Sequence, residues 1–86
     1  MTMTETPSLD APAIPPGVPL RLLDAAPSLW RVVDRSGRVI GHLQVLAQSG
    51  GIRYRARRFR AAPRAFLELG EFWSAADALD CLRFAR

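Results

Sequence analysis

The sequence predicts an α+β fold, in which an antiparallel sheet of three or four strands carries one C-terminal helix on one of its faces. Two observations predict it. Apolar and polar residues alternate with a period of two from Leu29 to Leu69, which is typical of half-buried strands. A small capping residue, Ser74, then precedes an apolar stripe at helical spacing.

Turn residues divide the alternating region into separate strands. Residues 34–37 (Asp-Arg-Ser-Gly) are typical of a tight turn, because Asp caps its start and Gly tolerates a positive φ. Residues 48–51 and 61–65 form the other two connections, and the second of these contains Pro63. The predicted strands span residues 29–34, 38–46, 52–60 and 66–72.

The last segment predicts a helix that begins at Ser74. Ser74 and Asp77 have the spacing of a capping box, with Asp in place of the usual Glu. An apolar stripe follows at helical spacing and is expected to cover one face of the sheet, so that the other face stays open. The stripe consists of Ala75, Ala78, Leu79, Leu82 and Ala85.

Residues 1–28 contain six of the seven prolines and are predicted to be a largely disordered tail. The folded domain is then expected to span residues 29–86. Within the tail, the segment from Val18 to Asp24 is rich in apolar side chains. It is interpreted either as an extended arm that docks on the domain or as plain linker.

The composition limits the class of protein. With 86 residues the chain forms one domain at most, and its single cysteine, Cys81, excludes a disulfide within the chain, which fits a reducing cytoplasm. No uncharged apolar run approaches the roughly 20 residues that a membrane helix needs. We therefore expect a cytoplasmic protein that makes no membrane contact. All 12 basic residues are arginine, which is typical of a high-GC bacterial or phage genome.

Catalytic and metal-binding chemistry has little support in the sequence. His42 has no second histidine and no cysteine at ligand spacing, so it is interpreted as an ordinary surface or edge residue. Cys81 is interpreted as a small buried or half-buried residue. The sequence contains no Gly-rich phosphate loop, nucleophile elbow or metal motif. We expect no enzymatic activity, no cofactor and no metal.

The segment from Ile52 to Arg60 carries the strongest functional signal. Its alternation places apolar side chains on one face and a row of three arginines on the other. Arginine neutralises phosphates and reads guanine edges, and Phe59 shares the parity of the row, so that it is a candidate for stacking on bases. The alternative is a solvated strand face in an arginine-rich proteome. The residues predicted to bind nucleic acid are Arg53, Arg55, Arg57, Arg58, Arg60, Arg64 and Phe59.

The end of the chain resembles AP2-type DNA-binding domains and the related arm-binding domains of phage integrases. The resemblance lies in Leu-Gly-Glu-Phe at residues 69–72, followed by Ser74 and by Ala-Leu at residues 78–79. It implies a helix behind a sheet that lies in the DNA major groove, with the arginine row facing double-stranded DNA. Where AP2 domains carry an aromatic residue just before Leu-Gly, this chain has Glu68. Glu68 has the parity of the open face, and a pair with a neighbouring arginine would make that face salt-bridged rather than phosphate-binding.

A protein-interaction module is the second hypothesis, either as a homodimer or as a phage-type or host regulatory protein. A patch of four apolar residues on the parity of the open face supports it. In that case Arg–Glu pairs on the same face are also expected. The four residues are Leu29, Val33, Ile40 and Leu46.

Overall fold

Five strands form one antiparallel sheet in chain order, and a single helix follows them. The computed structural model describes residues 11–62 and 64–84. The α+β class is confirmed, and the sheet has five strands where the sequence predicts three or four. The elements are β1 (Arg21–Ala26), β2 (Leu29–Val33), β3 (Val39–Gln48), β4 (Gly51–Arg60), β5 (Ala65–Phe72) and α1 (Ala75–Phe84).

The additional strand, β1, lies inside the segment that was predicted to be a tail. It pairs with β2, so the folded unit begins before residue 29 and that boundary is corrected. The preceding residues dock as an arm, because Leu20 is buried in the core and Val18 packs against it. The prolines at positions 19 and 27 flank β1 without interrupting it, which is why the strand tolerates them. The part of the tail prediction that concerns residues 1–10 falls outside the described residues.

The turn between β2 and β3 is held by the side chain of Asp34. Its carboxylate accepts hydrogen bonds from the backbone N–H of Ser36 and of Arg38 and from the Ser36 hydroxyl. Gly37 adopts a φ of 86°, which completes the turn as its sequence predicted. The hydrogen bond from the Ser36 hydroxyl, followed by that from the Arg38 backbone, lowers the pKa of Asp34.

Helix α1 packs on β3, β4 and β5, and Ala78, Leu79 and Leu82 of the predicted stripe form the core with the sheet, while Ala85 lies outside the described residues. Leu79 and Leu82 are buried against Leu43 and Ala56 of the central strands. The predicted cap is confirmed, because the backbone N–H of Asp77 donates to the Ser74 hydroxyl over 3.1 Å. The face of the sheet away from α1 is called the open face below.

The predicted apolar patch on the open face does not form as expected. Val33 is almost completely buried, and Ile40 packs against the core. The register between β2 and β3 shifts because β3 carries one extra residue, Ile40, between Gly41 and Val39, so the simple alternation fails at Ile40, whereas Val33 keeps the parity of the open face. Leu29 and Leu46 are half-buried. Val33 is therefore unavailable to a partner, and Ile40 does not belong to the patch.

Within the described residues, α1 spans ten positions, and no helix is long and apolar enough to cross a membrane.

Candidate nucleic-acid interface

The strand register assigns five arginines and two glutamates to the open face. Residues that pair across antiparallel strands lie on the same face, and the buried residues Leu43 and Ala56 mark the face that α1 covers. Their neighbours along each strand consequently point the other way. Among the described residues, the charged members of the open face are Arg21, Arg31, Arg53, Arg55, Arg57, Glu68 and Glu71.

The centre of the arginine row is paired with the glutamates of β5. Arg57 donates from Nε to Oε2 of Glu68 over 2.9 Å, and Arg55 donates from Nη2 to Oε2 of Glu71 over 2.8 Å. Nε of Arg55 also lies 3.4 Å from Oε1 of Glu68. The hydrogen bond from Arg55 lowers the pKa of Glu71, and the same bond raises the pKa of Arg55. Two of the three predicted arginines therefore already have carboxylate partners.

A β-bulge brings both glutamates to this face. Glu68 and Glu71 are three residues apart, so a regular strand would place them on opposite faces. The register shifts here, and Ala56 pairs with Gly70 while Arg57 pairs with Glu68. Gly70 has a φ of 130°, and Leu69 packs against the core. The parity of Glu68 predicts its pairing with an arginine, whereas simple alternation does not predict the pairing of Glu71. A glycine inside a strand was the signal for the bulge.

The third arginine of the row, Arg53, lies over an aromatic ring. Its guanidinium carbon is 3.5 Å from the ring centroid of Trp73, within the range of a cation–π contact. Trp73 follows β5 directly and keeps 63% of its surface exposed. At this end of the row, the exposed ring of Trp73 therefore has the guanidinium of Arg53 stacked on one of its faces.

Three further rings meet at the other end of the row. The rings of His42 and Phe66 are stacked, with centroids 4.5 Å apart and planes inclined by 27°. Phe59 packs against Phe66 at 5.3 Å with its plane tilted by 53°. Phe66 is 44% exposed, while Phe59 and His42 are half-buried. We call His42, Phe59 and Phe66 the ring cluster. Of these three residues, only Phe59 was predicted to stack on bases.

Burial and two neighbouring arginines determine the pKa of His42. His42 lies between Arg31 of β2 and Arg57 of β4 in the strand register. Burial lowers the pKa of His42, and the positive charges of Arg31 and Arg57 lower it further. His42 is therefore flanked by two guanidinium groups, of which Arg57 is already paired with Glu68.

The other predicted arginines lie outside this face. Arg58 points to the side of α1 and donates from Nη1 to the backbone carbonyl of Leu82 over 3.1 Å. Arg60 shares the parity of Arg58 and is exposed, and Arg64 is exposed in the loop between β4 and β5. The seven predicted residues therefore do not form one surface. Only Arg53, Arg55, Arg57 and Phe59 share the open face.

A second basic surface lies near the C-terminal end of α1. It is a groove of about 1120 Å³ between that end of the helix and the β2–β3 turn. Phe59 also lines it, so the groove adjoins the ring cluster. Its arginines are Arg35, Arg38, Arg58 and Arg83.

No protein-family model, no curated protein and no solved structure matches this chain. The resemblance to AP2-type and integrase arm-binding domains therefore stays a prediction.

Proposed function

We propose that this protein is a binding module that holds nucleic acid on its open face. The excess of positive charge on that face is the observation that carries the proposal. Five arginines and two glutamates leave a formal charge of three positive units on one side of a five-stranded sheet. Clustered positive charge of this kind attracts the phosphate backbone whatever the sequence of bases.

The Arg–Glu pairs weaken this interaction without preventing it. The side chains of Arg57 and Glu68 are 39% and 53% exposed, and exposed ion pairs contribute about 0.2 to 1 kcal/mol. A phosphate can therefore compete with Glu68 for Arg57 at little cost. Arg21 of the edge strand β1 and Arg31 of its neighbour β2 are exposed on the same face and extend the positive surface beyond the paired residues.

Two variants of equal charge test the proposal. Replacing Arg53, Arg55 and Arg57 by Gln removes the row, and replacing Arg35, Arg38 and Arg83 by Gln removes three charges from the groove. Binding of fluorescently labelled oligonucleotides, single-stranded and duplex, would be measured by anisotropy at low salt. We expect the first variant to lose most of its affinity and the second to lose much less. Equal losses, or no binding by the unmodified protein, would contradict the proposal.

A protein partner is the second candidate, and the pairing of Arg55 and Arg57 with Glu71 and Glu68 favours it. Such pairs are what the sequence analysis expected of a protein-binding face. The half-buried Leu46 and the exposed Phe66 add apolar surface to it. If the protein forms a homodimer through this face, sedimentation will show a mass that rises with concentration. In that case replacing Arg53, Arg55 and Arg57 by Gln will change the measured mass, whereas adding nucleic acid will leave the mass unchanged.

A further inference from the structure

We propose that the ligand of the open face is a nucleic-acid strand with unpaired bases, and that the ring cluster stacks on those bases. This inference rests on the proposed nucleic-acid binding and adds the class of nucleic acid. The observation that supports the inference is the position of the ring cluster beside the arginines. Binding of phosphates by charge alone would not require aromatic rings there.

The ring cluster lies on the same face as the arginine row and directly beside it. Phe59 follows Arg57 on that face of β4, and Phe66 is the residue opposite Phe59 on β5. His42 is the residue opposite Arg57 on β3. Phe66 therefore joins rings from β3 and β4 into one aromatic surface, and it remains 44% exposed. Aromatic rings on an open sheet face beside cations are the arrangement that single-stranded nucleic acids use for stacking.

A second aromatic platform lies at the opposite end of the row. Trp73 is exposed there beneath the guanidinium of Arg53. Arg53 and Phe59 are six residues apart on β4, which corresponds to about 20 Å along the strand. Cations lie between the two platforms, so a strand that crosses the face meets an aromatic residue, then arginines, then the ring cluster. Domains that bind single strands in this way cover about 4 to 16 nucleotides.

A duplex makes poor use of these rings. Its bases are stacked inside the helix, and only their edges are accessible in the grooves. Phosphate contacts by the arginines are possible with either form, but stacking requires bases that are free of their partners. The resemblance to AP2-type domains implies a duplex, so the two interpretations differ in a measurable preference.

The first experiment compares one sequence as a single strand and as a duplex. A labelled 12-nucleotide strand, within the range of about 4 to 16 nucleotides, would be titrated with the protein at low salt. The variant Phe66→Leu keeps an apolar side chain in place but removes the aromatic face. Phe84→Leu is the control of the same chemistry, because Phe84 is 68% exposed on α1 and lines the groove instead of the open face.

We expect the unmodified protein to prefer the single strand. Phe66→Leu should weaken single-strand binding about fivefold or more, since base–aromatic stacking contributes at least about 1 kcal/mol. Duplex binding should change less than twofold, and Phe84→Leu should change neither. Thermal melting of both variants establishes that they are folded.

A second measurement needs no variant. His42 is the only histidine in the chain, so its imidazole protons give one identifiable NMR signal set. Bases stacked on the cluster should shift these protons upfield when the single strand is added, and the duplex should not. Binding of the duplex with equal or higher affinity, or a single-strand affinity that Phe66→Leu leaves unchanged, overturns this inference while the proposed function survives. Absence of binding to both forms overturns the proposed function itself.

Discussion

Glu68 lies directly across from Arg57 in the β4–β5 register, and the two side chains form a hydrogen-bonded ion pair of 2.9 Å on the open face. Glu68 is therefore bonded to the arginine of the row that lies closest to the ring cluster. The same register places Glu71 opposite Arg55. These two contacts set how strongly an anionic ligand can compete for the row.

Replacing Glu68 and Glu71 together by Gln should strengthen nucleic-acid binding. The change removes two negative charges and leaves both arginines available to phosphates. Because an exposed pair contributes at most about 1 kcal/mol, we expect a gain of up to about fivefold for each pair. Anisotropy titrations at fixed salt measure it, with Asp24→Asn and Asp77→Asn together as a control for charge alone, because both residues are exposed and lie outside the open face. Unchanged or weaker binding would favour the protein-partner hypothesis.

Gly41 is the position in the core where a side chain cannot be accommodated. A Cβ atom there would overlap the backbone carbonyl oxygen of Arg57 and would lie 2.7 Å from Cδ1 of Leu82. Gly41→Ala should therefore destabilise the fold by about 3 kcal/mol or more, through displacement of β4 or α1. Gly50→Ala is the control, because a Cβ at Gly50 has nothing within 4 Å, and its effect should stay within about 0.5 kcal/mol. Urea unfolding of both variants decides the matter, and equal midpoints would mean that α1 does not pack on Gly41.

Ser74→Ala should cost about 1 kcal/mol of stability, because the backbone N–H of Asp77 loses its acceptor at the start of α1. For a domain of this size, that loss corresponds to a decrease in Tm of about 4–8 °C. Differential scanning calorimetry would measure it. Ser74→Asp should restore most of the loss, since Asp is also a good capping residue. Failure of Asp to restore stability would show that the cap does not act through its side-chain oxygen.

His42 makes stability depend on pH in a defined direction. Its folded pKa is lowered from 6.5 by burial and by Arg31 and Arg57, so the unfolded chain binds the proton more readily than the folded one. The free energy of unfolding should therefore fall as pH decreases through 6.5 towards the folded pKa. His42→Gln should flatten this part of the profile. The pKa values of Glu71 and Asp34 are lowered from 4.5 and 3.8, so their ionised forms stabilise the fold, and that contribution is lost only at more acidic pH. A wild-type profile that is already flat near pH 6 would contradict this assignment of His42.

Most of the fold follows from local patterns in the sequence. Alternation identified β2 to β5, and the capping pattern at Ser74 identified the start of α1. β1 does not follow from local patterns, because the high proline content of residues 1–28 favours a disordered tail, whereas the strand lies between Pro19 and Pro27. Such a short strand is stabilised by pairing with β2, which a local pattern cannot show.

The candidate site was only partly predictable, because it depends on register. Periodicity alone predicts that Arg53, Arg55 and Arg57 lie on one face of the strand. The ring cluster requires that Phe66 lie opposite Phe59 and that β3 bring His42 beside Arg57, which is set by turn lengths and by the bulge at Gly70. The placement of Arg58 against Leu82 likewise depends on where α1 ends.

The salt dependence of binding tests the central claim most directly. Each phosphate that the face neutralises should contribute about −0.7 to the log–log slope with a single strand and about −0.9 with a duplex. With three to five contacts, we predict a slope of roughly −2 to −3.5 for a single strand. Replacing Arg53, Arg55 and Arg57 by Gln should flatten the slope to about −1.5 or a value nearer zero, because only Arg21 and Arg31 of the open-face arginines remain. An unchanged slope in this variant would show that the phosphates lie elsewhere, and no binding by the unmodified protein at the lowest salt would contradict nucleic-acid binding altogether.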